Sequence, residues 1–412
     1  MGMMMDKDKI ATNKADTSAQ EKYSVMLMPA ILSVSLLTIM APTAVAPALA
    51  AIKQAFPEIT ETEAKLVLTL PTLMMPIGLL AAKLTERFDK KKILLTGMLL
   101  FLVFGVGGGF VNDFGLLLTM RVLFGVGIGI MTPLSTSLIF DFVSDTNRRN
   151  KLMGIQGAVN QLGGLVFMGL SGILANISWR YSFLCYAFVL VSLLMTLLFM
   201  PSIPPFKSQV ANSTAKKKHL NPKIYVLAFF AMMIFVCFFV VNTDLALFMH
   251  HEGLGDAKDC GFALSVMRIP AIFAGIMLGW LMKNLKDWTV TIATLFMAAG
   301  YLIIAYSYSY DMIMAGCLVI GIGGGVSIPP LFTFVPRLVP PRQRTLGVAV
   351  VSMVAQLGQF VSPLYTNIFV NGSDSESLRM RFVIATVTTV VIGFMVVAFA
   401  STISKVPLKD EI

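Results

Sequence analysis

Three ionisable side chains stand inside stretches that are otherwise almost wholly apolar: Arg121, Asp244 and Arg268. A charge in nonpolar surroundings is costly, so such groups face a polar cavity or find a partner. The chemistry they offer is ion recognition and proton transfer, not covalent catalysis. Asp244 is a candidate proton carrier, because desolvation favours the protonated carboxyl; an ion pair with Arg268 is the equal alternative. Arg121 and Arg268 are candidates for anion recognition or coupling, although a buried arginine also braces helices by donating to backbone carbonyls.

Amides and hydroxyls on the same stretches complete a candidate lining: Asn160, Gln161, Asn242, Gln356, Gln359, Tyr365 and Asn367. Each serves equally well as an interhelical hydrogen-bonding group. Residues 24–50 contain no acid, so a cavity with two arginines and few carboxylates suits an anionic or neutral amphipathic solute. The cluster His250, His251, Glu252, Asp256, Asp259 and Cys260 lacks ordered ligand spacing and reads as a solvated loop, not a metal site. The four cysteines form no CxxC pair and read as small buried hydrophobes.

The elements that position these residues follow from composition. Of 412 residues, 56% are hydrophobic and 13% charged, with a mean hydropathy of +0.80. A soluble chain carries about a quarter charged residues, so the body is expected to sit in lipid. Stretches of the length needed to cross a bilayer, about 20 residues, run over 24–50, 64–82, 93–111, 115–140, 152–174 and 181–200. A second set covers 224–248, 260–282, 289–308, 312–335, 346–370 and 382–402. The expected fold is an all-α membrane protein of 12 transmembrane helices. With both ends of the chain on the cytoplasmic side, 24 of the 32 Lys and Arg fall in inside loops and six outside, Lys65 and Arg381 among the six. That asymmetry is the positive-inside pattern, and it accounts for the net charge of +10 without nucleic acid. The basic start and Ala48-Leu49-Ala50 imitate a signal peptide, but the apolar run is about twice a typical signal core.

Gly125-x-Gly127-x-Gly129-xxx-Pro133 recurs as Gly321-x-Gly323-x-Gly325-xxx-Pro329. Arg148 recurs at Arg344, and Gln161-Leu162-Gly163 at Gln356-Leu357-Gly358. The chain therefore reads as a tail (1–22), a six-helix bundle (23–200), a mobile linker (201–223), a second bundle (224–402) and a short tail (403–412). The glycine run has no preceding strand for a dinucleotide site; inside a membrane helix it permits close helix packing.

Residues Ala82-Lys83-Leu84-Thr85-Glu86-Arg87-Phe88-Asp89-Lys90-Lys91 resemble the loop signature between helices two and three of the major facilitator superfamily. Arg121-xxx-Gly125-x-Gly127 resembles its helix-four motif, and Trp179-Arg180-xx-Phe183 its helix-six element. Ala82, Glu86 and Asp89 depart from the signature's glycine, aspartate and glycine. Helix five lacks the Gly-Pro pair of the antiporter motif, while Pro47-Ala48-Leu49-x-x-Ile52 and the helix-two-to-three passage resemble small bacterial drug:proton antiporters. The resemblance implies two six-helix halves around a midplane site. It also implies a gate latch in which Arg87 pairs with Asp141 while Glu86 faces Arg344.

These features lead to an expected secondary active transporter, not an enzyme, exporting small amphipathic or anionic compounds by proton-coupled alternating access. No cofactor is expected beyond the proton gradient, and the partners are the solute, H⁺ and the lipid bilayer. The chain is expected to be a monomer in a bacterial cell membrane. An uptake permease or exchanger for a nutrient anion or sugar is the alternative, and a non-transporting membrane sensor a remote one.

Overall fold

The computed structural model describes residues 26–143, 145–205, 220–340, 343–370 and 375–403. The expected tail at 1–22, the expected tail at 403–412 except Ile403, and most of the expected mobile linker (206–219) lie outside the described residues. Eleven helical runs among the described residues are long and apolar enough to cross a membrane. A further run, α1, spans Leu27–Thr43 and continues through Leu49–Ala55.

The rest of the first half comprises α2 (Glu61–Leu84), α3 (Lys90–Phe110), α4 (Phe114–Phe142), α5 (Lys151–Ile177) and α6 (Trp179–Phe199). The second half comprises α7 (Lys223–His251), α8 (Ala257–Ile276, prolonged by Leu278–Leu285), α9 (Thr289–Ala305), α10 (Tyr310–Leu338), α11 (Arg344–Phe369) and α12 (Ser375–Ile403). Lys286, with φ 48°, makes the turn from α8 to α9.

Two helix starts differ from expectation in a way that matters. Helix α2 begins three residues earlier, because Thr60 and Glu63 form a reciprocal capping box that satisfies two orphan backbone donors. Helix α12 begins seven residues earlier, at Ser375. Arg381, expected in an outer loop, therefore lies inside a helix, and Lys65, counted with the outer charges at the edge of its span, stands on the second turn of α2; both are almost fully buried.

Each half has its own hydrophobic core, one centred on α1, α3, α4 and α6, the other on α7, α9, α10 and α12. Outward faces expose large apolar side chains such as Leu80, Val103, Leu198, Ile276, Val387 and Phe394. A belt of this kind is untenable in water and matched to lipid.

The glycine repeat is a packing device. A Cβ on Gly125 or Gly129 would fall closer than 3.0 Å to the carbonyls of Pro71 or Met74 on α2, and one on Gly127 to that of Gly97 on α3. In the second half Gly321 and Gly325 meet Met267 and Ala271 on α8, and Gly323 meets Ala293 on α9. Helix α4 thus seats between α2 and α3 as α10 seats between α8 and α9. The duplication extends to two arginines. Arg180 at the start of α6 donates to the Gly109 and Val111 carbonyls beyond α3 (3.1 and 2.7 Å). Arg379 near the start of α12 donates to Ala305 and Ser307 beyond α9 (both 2.9 Å). A cation there complements the orphan carbonyls of a helix end.

Among the described residues the two halves pack together toward one end. Call the end carrying the 82–92 loop the basic end. Away from it, Gly172 of α5 lies backbone to backbone against Gly261 of α8. Toward the basic end the same face of α5 presents Gly157, and the same face of α8 presents Gly275 and Gly279. A Cβ on any of these three would find nothing within 4 Å. The interface is closed at the far end and open at the basic end.

Candidate functional site

The closed end is held by a buried charge cluster. Lys65, on the second turn of α2, donates from Nζ to Asp244 Oδ1 of α7 at 2.5 Å, with side-chain exposures of 1% and 0%. Arg381 of α12 donates to Glu61 Oε2 of α2 at 2.7 Å and to Asp244 Oδ1 at 3.3 Å. Thr243 completes the cluster by donating its hydroxyl to Asp244 Oδ2 (2.7 Å). Two acids and two bases thus meet across the seam between the halves, Lys65, Asp244 and Arg381 buried and Glu61 at the cluster's edge. The expected Asp244–Arg268 pair is not formed. Lys65 and Arg381 reach Asp244 instead, Lys65 from the outer end of α2 and Arg381 from the first turns of the longer α12.

Nearby, Gln54 of α1 contacts His250 at the end of α7. The expected solvated loop after α7 is in fact engaged: Glu252 pairs with Arg379, Asp256 and Asp259 form the capping box of α8, and Tyr310 donates to the Asp259 carbonyl at 3.1 Å. Among the described residues no group of three His, Cys, Asp or Glu is arranged to hold a metal.

Arg268 occupies a different place. It is 6% exposed, projects from α8 across the seam toward α5, and donates to Met168 Sδ at 3.9 Å. Its guanidinium carbon is 5.8 Å from the ring centre of Phe238 on α7. Asn160 lies one helical turn from Gly164, which faces Arg268, and its Oδ1 has no partner. Asn242 lies one turn from Phe238, donates to that residue's carbonyl at 3.3 Å, and leaves Oδ1 unpartnered. Gln359 is buried with Oε1 unpartnered, while Gln161, Gln356 and Asn367 are half-buried. Tyr365 bonds to Thr388 of α12, within its own half.

Arg121 has the bracing geometry. It is fully buried, donates from Nε to the Val67 carbonyl of α2 at 2.6 Å, and reaches the Tyr186 hydroxyl at 3.2 Å. Its guanidinium lies 4.5 Å from the Phe124 ring centre. Tyr186 in turn donates to the Ala41 carbonyl at 2.9 Å, so Arg121 links α1, α2, α4 and α6 of one half.

The expected latch at the basic end is rearranged. Lys90, not Arg87, pairs with Asp141 at 2.5 Å; Arg87 is exposed. No ion pair joins Glu86 to Arg344 among the described residues; Glu86 lines a cleft with Lys90, Asp141 and Ile203. The reason is the open interface, which takes the second half away from this loop. Asp89, where the signature has glycine, caps α3 through the Lys91 N–H (2.7 Å) and takes bonds from Ser202 and the Ile203 N–H. The first residues of the expected linker are therefore fastened to the loop.

With this geometry in view, comparison with known proteins is decisive for the family. The model of the Major Facilitator Superfamily matches residues 28–363 and, in a second match, 261–410. The chain belongs to that superfamily. It is 24% identical over 307 residues to the 3-(3-hydroxy-phenyl)propionate transporter of Escherichia coli (strain K12), covering 71% of this chain and 73% of the relative. To the quinolone resistance protein NorA of Staphylococcus aureus (strain MSSA476) it is also 24% identical over 307 residues, 71% and 76% of the two chains. A bacterial homologue of the human lysosomal transporter Spinster, solved inward-facing and unoccupied, superimposes with a TM-score of 0.77 at 16% identity, over 92% of this chain and 97% of that one. A D-xylose-proton symporter gives a TM-score of 0.72 at 16% identity, over 94% and 99%. This superfamily member is a multi-pass membrane transporter and not an enzyme.

The sequence reading missed Lys65, Arg381 and Glu61. The signal was present in Thr60-x-x-Glu63, a capping box that starts a helix at Glu61 and stacks Glu61 and Lys65 on one face at i, i+4.

Proposed function

We propose that this chain is a secondary active transporter that exports a small amphipathic or anionic solute by alternating access, in exchange for protons. The single observation that carries this reading is the cross-seam cluster of Glu61, Lys65, Asp244 and Arg381 at one end of an interface open at the other. On the positive-inside assignment the open end faces the cytoplasm, and the closed cluster is the outer gate.

The cluster is suited to open without stranding a buried charge. Separation parts Lys65 from Asp244 and Arg381 from Glu61. Each half retains one acid and one base: Glu61 with Lys65 at i, i+4 on α2, and Asp244 with Arg381, already 3.3 Å apart. A buried ion left alone costs several kcal/mol, so this exchange of partners lowers the barrier to opening. Once the halves part, Asp244 is reached from the outer medium and takes up its proton there, which links proton entry to the outward-open state.

Kinship with a quinolone resistance protein supports export. Kinship with a carrier named for an aromatic propionate favours a second reading, uptake of an organic anion by the same machine. Sealed vesicles containing the wild type and Asp244→Asn test the proposal. Proton-coupled export predicts that an imposed pH gradient drives wild-type flux and not that of the variant, while both retain solute counterflow. Gradient-driven flux in Asp244→Asn contradicts coupling through this residue.

A further inference from the structure

The surroundings of Arg268 differ from those of four other arginines of this protein. Arg121 donates to a carbonyl and a phenol, Arg180 to carbonyls and an amide, Arg379 to a carboxylate and two carbonyls, and Arg381 to two carboxylates. Arg268 is 6% exposed, yet its one described polar partner is the Met168 sulfur at 3.9 Å, and its Nε has none. A guanidinium carries five donors and cannot shed its charge. Burying it beside a thioether leaves most of that capacity unmet.

Room is made for the ring beside it, and Gly164 lies in van der Waals range of its guanidinium. A Cβ on Gly164 of α5 would stand 3.4 Å from Arg268 Nε, and a Cβ on Gly324 of α10 would collide with the Phe238 ring beside the guanidinium. Gly324 interrupts the internal repeat: the equivalent position in the first half is Ile128, which is fully buried. The first half fills this position with a side chain, whereas the second leaves room for a ring. One turn from Arg268 on α8, the buried Ser265 hydroxyl is also without a partner. Along α5, the face that carries Gly164 passes from exposed Gly157 through half-buried Asn160 and Gln161 to buried Gly164. Arg268 therefore stands at the apex of the open part of the seam.

We infer that Arg268 binds the carboxylate of the transported solute, and that the solute is a monocarboxylate whose aromatic body lies against Phe238. The inference rests on the transporter reading above and adds the substrate class. One guanidinium fork accepts one carboxylate through two parallel hydrogen bonds. The charge count selects a monoanion, because Arg121 is committed to Val67 and Tyr186, and Lys65 and Arg381 to the outer cluster. The Phe238 face, Met168 and Leu36, which crowds Gly163, supply apolar walls, and an aromatic ring stacks on both Phe238 and the guanidinium plane.

Equilibrium binding to the purified full-length protein in detergent tests this without requiring transport. The probes are naphthoate, its neutral amide, the amine of the same ring, and decanoate as an aliphatic acid. The wild type is expected to bind naphthoate at least about tenfold more tightly than the amide or amine. Arg268→Gln is expected to bring the acid down to the level of the amide, and Arg268→Lys to retain part of the preference. Phe238→Leu controls for misfolding at Arg268, and is expected to weaken naphthoate while sparing decanoate. Equal binding of acid and amide by the wild type, or undiminished naphthoate binding by Arg268→Gln, overturns the inference; so does a preference for decanoate over naphthoate, which would assign the site to a fatty acid. Naphthoate binding that depends on Arg268 without naphthoate counterflow in vesicles would leave the carboxylate site standing and refute the proposed export reading instead.

Discussion

Lys65 and Asp244 are 179 residues apart in the chain and 2.5 Å apart in the structure, and their contact ties the first half of the molecule to the second at one end of the seam. Both are sealed from solvent. A buried pair of this kind contributes little net stability compared with an apolar pair, but breaking it from one side is expensive. Lys65→Met is therefore expected to destabilise the protein by about 3–5 kcal/mol. Lys65→Met combined with Asp244→Leu should recover a large part of that loss, with Arg381 left to Glu61. Thermal unfolding in detergent checks both; equal damage from the single and double variants would deny that the two side chains act as a pair.

Arg121 and Arg268 are both buried arginines, and the structure gives them opposite tasks. Arg121→Met removes the donors to Val67 and Tyr186 and the contact with Phe124. It should cost about 2–4 kcal/mol of stability, in the range for losing one side of a buried network, with solute affinity unchanged in the protein that remains folded. Arg268→Gln should do the reverse. Paired melting and binding measurements distinguish them, and a selective loss of affinity in Arg121→Met would restore it to the solute path.

Asp89 lies between α2 and α3, outside the spanning helices. Burial acts to raise the pKa of its carboxyl, but the Ser202 hydroxyl and the backbone N–H groups of Lys91, Ile203 and Lys92 outweigh it and hold the group below the usual carboxylate value. A carboxyl depressed in the folded state stabilises above its unfolded value, about pH 4, and loses that contribution as pH falls through the folded value. Asp89→Ala should cost about 1 kcal/mol at neutral pH, the usual worth of a helix cap. The difference from wild type should shrink below about pH 4. A gap that widens on acidification would mean that the carboxylate is not the stabilising form.

Much of this architecture was legible in the residues. Helix count, the two-fold repeat and the packing role of Gly125, Gly127, Gly129 and their counterparts follow from hydropathy and spacing, because lipid forces each backbone segment to satisfy its own hydrogen bonds. The gate was not legible. When hydropathy alone sets the helix ends, Arg381 looks like a loop charge and Lys65 like an outer charge at the edge of its span, since a charge there lowers the window average regardless of its partner. Their pairing with Asp244 depends on three helices converging from far-apart stretches of chain, which no local pattern encodes. Asn160, Asn242 and Gln359 were identifiable as polar groups within spans. Which way each faces is set by helix rotation against neighbours. The latch between Arg87 and Asp141 failed for a related reason: Lys90 opens α3 closer to the end of α4, and the loop signature does not distinguish neighbouring basic residues.

The most direct test of a single seam that opens at alternate ends is a pair of distances. Spin labels are placed at Gly154 and Gly279, across the basic end, and at Asn176 and Lys258, across the opposite end. In wild type without solute, the basic-end distance should be long and the far-end distance short. In Lys65→Met, which removes the outer tie, a second population should appear with the two distances exchanged. Distances that lengthen or shorten together, or a far end that stays closed without Lys65, would contradict the account.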